Sequence, residues 1–227
     1  MHQGLRVVAA YAVVISFFGY LSYGVVSLLG SMLVIMSACW AFNLLFAKIF
    51  RAPVNQESAY ITGMILFFIL SPAVSLNDYL ILILASAIAM ASKYFLVIHK
   101  RHIFNPAAFG AFVIGLTGLT GGTAWWGGIP VMLPAIAIFG FLILRKIKRF
   151  QMFFTFIIIA SLSAMIFSFK FSMPITEMIQ QLLTTWPLIF FGTIMFTEPL
   201  TTPPTKKLQL VYATLVGFLF GFPFHIG

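Results

Sequence analysis

The sequence predicts an all-α polytopic membrane protein, and three observations predict it. Of 227 residues, 62% are hydrophobic and 7% are charged; a soluble domain averages about 25% charged, so this chain cannot coat a water-facing surface. Apolar stretches of span-like length alternate with short loops rich in Pro, Gly and polar residues. The cations gather in every second loop. A net charge of +9 would suggest nucleic acid in a soluble protein; here it suits a bilayer surface, and no nucleic-acid partner is expected. Cys39 is the single cysteine, so the chain can hold no internal disulfide.

Nine segments are expected. The first, Leu5–Leu21, closes at the neutral turn Ser22–Gly24. The second, Val25–Ala47, ends at Lys48 and Arg51, before the polar loop RAPVNQES. The third, Ala59–Leu70, is short and stops at Ser71-Pro72, where proline removes a donor and bars helix from the residue before it. The fourth, Tyr79–Ile98, runs into KRHIFNPAAFG. The fifth, Pro106–Thr120, opens with Asn105 as a strong N-cap and Pro106 at the first helical position. It ends in GGTAWWGG, whose Trp125 and Trp126 read as an interfacial aromatic belt. The sixth, Ile129–Leu144, ends in RKIKR; the seventh is Phe150–Phe169. The eighth is apolar only from Trp186 to Phe196, with an amphipathic lead-in from Ile175. The ninth is Leu208–Phe222.

Charge orients the chain. With Arg6 cytoplasmic, the loops after segments two, four, six and eight are cytoplasmic as well. They carry Lys48, Arg51, Lys100, Arg101, Arg145, Lys146, Lys148, Arg149, Lys206 and Lys207, so 11 of the 13 cations share one face. The expectation is a multi-pass plasma-membrane protein with a cytoplasmic N-terminus. Lys93 lies inside segment four, where an ammonium costs up to about 2.5–3.5 kcal/mol at a helix centre and marks either function or snorkelling to the interface.

Two polar clusters then share the cytoplasmic face: the Asn105-Pro106 helix start, and FTEPLTTPPTKK, which holds Thr197, Glu198, Pro199, Thr201 and Thr202. The second cluster closes a segment too short to span comfortably. FFILSPAVS (Phe67–Ser75) and IMFTEPLTT (Ile194–Thr202) each end a short segment with a hydroxyl residue, Pro and further hydroxyls. They close segments three and eight. An odd offset of five means opposite orientation, the mark of an inverted repeat with a binding site at the repeat interface. The chain reads as one transmembrane domain, 1–227, with repeat halves of about 1–120 and 121–227. A two-by-five repeat needs ten segments, so the chain is expected to be part of a longer protein.

SKYFLVIHKRHIFNPAAFG (Ser92–Gly110) and MFTEPLTTPPT (Met195–Thr205) resemble signatures of the NqrB/RnfD family, the flavin-carrying membrane subunits of sodium-pumping NADH:quinone oxidoreductase and of Rnf complexes. The likeness spans most of the chain, including RAPVNQESAYITGMILFFILSP, and is greatest to the variant that precedes a ferredoxin-reductase-like module. The second motif reads Thr197-Glu198-Pro199-Leu200 where the family usually has T-D-P-V. The resemblance implies a ten-helix fold similar to urea and ammonium channels. It implies a flavin, FMN or riboflavin, in place of a pore. It also implies electrons from a cytoplasmic NAD(P)H- or ferredoxin-linked reductase, fused or separate, with quinone as a membrane acceptor and ion movement as a coupled process. Lys93, Asn105, Pro106, Thr197, Glu198, Pro199, Thr201 and Thr202 are the expected cofactor-binding residues. Relatives carry a covalent flavin on an S-G-A-T threonine after segment seven. The matching FSFKFSMPITEM has neither that motif nor a glycine, so the flavin is expected to be non-covalent and on the cytoplasmic half.

The competing class is a transporter or channel for a small solute or sodium in the same inverted-repeat cavity. A pore favours polar residues along several helices; here they concentrate at two loops. His99 and His102 lack an evident third ligand, and no metal site is expected.

Overall fold

The computed structural model describes residues 10, 23–98, 101–119, 125–126 and 130–222. The first expected segment apart from Ala10, His99, Lys100 and all of GGTAWWGG but its two tryptophans lie outside them. The described chain is mostly helical and divides into two compact units, Met1–Gly127 and Gly128–Gly227.

The first unit contains α1 (Val25–Ile49), α2 (Gln56–Ile69), α3 (Leu76–Phe95) and α4 (Pro106–Leu116), with the antiparallel pair β1 (Val97–Ile98) and β2 (Arg101–His102) between α3 and α4. The second contains a 3-10 turn (Pro130–Met132), α5 (Leu133–Ile147), α6 (Phe150–Lys170), α7 (Ile175–Gln180), α8 (Leu188–Phe190) and α9 (Lys206–Gly221). Helices α1, α3 and α6, of 25, 20 and 21 residues, are long and apolar enough to cross a bilayer. At 1.5 Å per residue each reaches about 30 Å, the thickness of the hydrocarbon core. Val26, Leu33 and Ile166, on α1 and α6, are at least 70% exposed, as side chains facing lipid would be. The chain is a membrane protein. The nine expected spans are met only in part, because α2, α4, α5 and α9 run 14, 11, 15 and 16 residues.

The third expected segment does stop short, and the structure shows what completes its end. After α2 the chain turns extended at Leu70, and Pro72 prevents continuation. Ser31 Oγ accepts from the Ala73 N–H at 2.8 Å, while Ser27 Oγ donates to the Ala73 carbonyl at 2.5 Å. The Phe67 carbonyl accepts from the Trp126 indole N–H at 2.6 Å. Trp126 is buried against Phe67 and Phe68, so it is not the interfacial belt residue expected from sequence. Its donor is more useful to an orphaned helix-end carbonyl than to lipid headgroups.

The eighth segment, expected as a short apolar stretch with an amphipathic lead-in, is a broken helix pair. Ile175–Thr185 and Leu188–Met195 meet at 54°, at Pro187, which has no N–H to continue the ladder. Each half ends in a π-helical turn. Trp186 N–H donates to the Gln181 carbonyl at 2.7 Å, and Phe196 N–H to that of Phe191 at 2.8 Å.

Small residues set the closest helix pairs. Ala213, Gly217 and Gly221, four apart, are the buried stripe of α9. A Cβ at Gly217 would stand 2.9 Å from the Phe156 carbonyl of α6, and backbone cannot swing aside. Gly217→Val is expected to lower stability by about 1–3 kcal/mol, measured by thermal unfolding in detergent. Leu215→Ala, at an exposed position on the same helix, should change it by about 0.5 kcal/mol or less; equal effects of the two would show that α9 does not pack this way.

Candidate functional site

Lys93 sits in the last turn of α3 and is only 8% exposed. Its Nζ donates to the Ser58 carbonyl at 2.7 Å and to Ser58 Oγ at 2.9 Å. Ser58 belongs to the first turn of α2, whose N-cap Asn55 accepts from the Ser58 N–H at 3.0 Å. The buried amide of Asn43 on α1 donates to the Asn55 carbonyl at 3.4 Å, and Tyr94 Oη donates to Asn43 Oδ1 at 2.9 Å. Five polar side chains therefore join α1, the start of α2 and the end of α3. Phe46 and Phe50 cover Tyr94 with their rings.

The start of α4 lies beside this network. Gly110 meets α3 at Ala85 and Ala89, where its Cβ would clash with the Ala85 carbonyl at 2.8 Å. Pro106 is one turn before Gly110 and Lys93 one turn after Ala89, so in an antiparallel pair the two fall at similar depth. Asn105 caps α4 by accepting from the Ala108 N–H at 3.1 Å, with Pro106 in its first turn. This is the local role that an Asn-Pro pair fills before a helix. His102, on β2, is close enough to feel the Lys93 charge. Burial first, then that charge, hold its pKa below the ordinary histidine value. Its Nδ1 is buried without a hydrogen-bond partner, as is Oε1 of Glu57.

In the second unit, FTEPLTTPPTKK folds into a pinned cap. Thr197 is fully buried and its hydroxyl donates to the Thr193 carbonyl at 2.8 Å. The hydroxyls of Thr201 and Thr202 donate to the Glu198 carbonyl at 3.2 and 3.0 Å. Arg149, ahead of α6, donates to Thr202 Oγ1. Gln209 Nε2 donates to the Pro203 carbonyl at 2.9 Å, and Thr205 caps α9. The hydroxyl protons of Thr197, Thr201 and Thr202 are thus engaged by backbone carbonyls, leaving the exposed Pro199-Leu200 tip for other contacts. Glu198 is half-buried. Lys93, Asn105 and Pro106 belong to the first unit; Thr197, Glu198, Pro199, Thr201 and Thr202 belong to the second.

Asn43, Ser58, Tyr94 and Arg149 were not among the site residues expected from sequence. The signal for Asn43 is an amide inside an apolar run, which must find a partner when buried. Arg149 reads from sequence only as a topology anchor. Thr176, in the first turn of α7, is exposed. Among the described residues no group of three His, Cys, Asp or Glu could hold a metal. No protein-family model matches the chain, and no curated protein is significantly similar to it.

His102 makes stability depend on pH in a stated direction. Its folded-state pKa lies below 6.5, so in that range the unfolded chain binds more protons and stability falls as pH is lowered. Acidification from about pH 7.5 to 5.5 is expected to lower the melting temperature of the wild type, and His102→Gln to flatten that fall. An equally steep profile in the variant would contradict the assignment.

Proposed function

We propose that this chain is the flavin-binding membrane domain of an electron-transfer oxidoreductase. It is a multi-pass protein of the plasma membrane with its N-terminus in the cytoplasm. It passes electrons between a cytoplasmic NAD(P)H- or ferredoxin-linked reductase and a membrane acceptor. The observation that carries this reading is the buried Lys93 ammonium, set between two helix N-termini. An intramembrane cation is expensive and is retained where it meets a functional partner. Helix N-termini add positive potential at the same place.

The residues present fit an isoalloxazine edge. Its alternating carbonyls and N–H groups call for donors and acceptors side by side, and the Lys93 charge and the buried, unpartnered His102 Nδ1 offer both. A bound flavin would supply one- and two-electron carriage. Lys93 would balance the negative charge of its reduced form, the α2 and α4 N-termini would favour the same charge, and the apolar packing around them would keep water from the ring. Asn105 and Pro106 would act by fixing where α4 begins. Non-covalent binding of riboflavin or FMN follows from the lack of an S-G-A-T threonine.

A transporter would need polar groups free to meet a solute along its path. The buried hydroxyls of Ser31, Thr62, Ser86 and Thr193 instead donate to carbonyls three or four residues back in their own helices.

Expression with riboflavin supplied should yield a yellow protein whose flavin separates from the polypeptide on denaturing gels. Lys93→Met is expected to retain about tenfold less flavin, the loss of one charge-assisted contact. A colourless chain that instead moves sodium into liposomes would decide for the transporter.

A further inference from the structure

The two chain segments that lead into α6 and α9 bring five cations to one end of the second unit. Arg145 and Lys146 lie in the last turn of α5, Lys148 follows in a left-handed turn, and Lys206 and Lys207 open α9. All five are exposed, and none has an ion pair among the described residues. The fold holds the two segments together. Gly217 and Gly221 of α9 rest against Phe156 and Ala160 of α6, so the two helices run parallel and begin at the same end. Arg149, just ahead of α6, donates to Thr202, just ahead of α9. Neither helix has an acid in its first turn, and the loop before α9 holds one, Glu198. Orienting the chain needs cations only on this face. It does not need Lys206 and Lys207 at the positive end of the α9 dipole, where a cation is disfavoured. Apolar side chains lie bare beneath both groups. Phe141 and Leu142 are exposed one turn before Arg145 and Lys146, and Leu208 and Val211 are exposed within one turn of Lys207.

We propose that this end of the second unit selectively binds the phosphodiester headgroup of an anionic phospholipid, whose acyl chains lie on the bare apolar flanks of α5 and α9. Clusters of four to eight Lys or Arg beside a membrane helix attract anionic headgroups. Phosphate oxygens accept charge-assisted hydrogen bonds from ammonium and guanidinium groups, and Arg145 has the fork to engage two of them. A choline lipid carries the same phosphate together with a cation that the five like charges repel. A free phosphate has no chains to lay on Leu142, Leu208 or Val211, so these flanks favour a lipid over a soluble anion. The site is built wholly by the second unit, whereas the Lys93 network belongs to the first, so either can fail without the other.

The test is native mass spectrometry of the purified full chain in nonionic detergent, titrated with dioleoylphosphatidylglycerol or dioleoylphosphatidylcholine. The first glycerol lipid should bind about tenfold tighter than the first choline lipid at low salt, and added salt should narrow the gap. Lys206→Gln with Lys207→Gln, and separately Arg145→Gln with Lys148→Gln, should each cut the preference about three- to tenfold. Lys206→Arg with Lys207→Arg should keep it. Lys48→Gln with Arg51→Gln removes as many cations from the first unit and should leave the preference unchanged. Sodium phosphate should displace no more lipid than sodium chloride of equal ionic strength. Equal affinity for the two lipids, a preference indifferent to salt, or specific displacement by phosphate would each overturn the proposal. Equal losses in the first-unit and second-unit variants would overturn it as well, because the cations would then act as general surface charge. The salt and phosphate measurements use the wild type, so they decide even where a Gln pair fails to fold.

Discussion

The Lys93 ammonium, nearly out of solvent, is held by the carbonyl and hydroxyl of Ser58, and the helices around it are placed by that requirement. A buried charge without partners is far more costly than the packing it displaces. The first turn of α2 must therefore stay beside the last turn of α3. Asn55 fixes the first turn of α2 by capping it, Asn43 binds the Asn55 carbonyl, and Tyr94 returns to Asn43. The short β-pair then brings the α4 start back to the same depth. What looks like a loop region is a polar frame for one cation.

The second unit uses a different device. Its close contacts come from small residues on α9 set against the α6 backbone, and its irregular backbone is concentrated at Pro187 and two π-turns. Breaks of this kind are tolerated at membrane depth only where protein covers them. Phe156, Phe191, Phe196 and Phe220 pack around the second π-turn. Arg149 and Gln209 pin the loop that follows.

Features governed by local chemistry were legible in the sequence. The Asn105-Pro106 helix start, the stop at Ser71-Pro72 and the cation-bounded ends of α1 and α6 each follow from neighbouring residues, and the structure places them within a few positions. Features governed by distant partners were not. Trp126 reaches a carbonyl 59 residues away, so a belt residue and a helix-end donor look identical in sequence. Ser58 lies 35 residues from Lys93 and Arg149 lies 53 from Thr202. The π-turns leave no local mark beyond Pro187. The eight site residues expected from sequence fall into two groups of different character: one around a buried charge, the other a loop whose hydroxyl protons are already engaged.

The reduction potential of the flavin proposed to bind here tests the role of Lys93 most directly. On the proposed reading, a fixed positive charge beside the ring would stabilise its reduced, anionic form, so Lys93→Met should lower the midpoint potential by on the order of tens of millivolts, while Lys93→Arg should largely keep it. A flavin whose potential is the same in wild type and Lys93→Met would contradict the account, because the buried ammonium would then act on the fold alone.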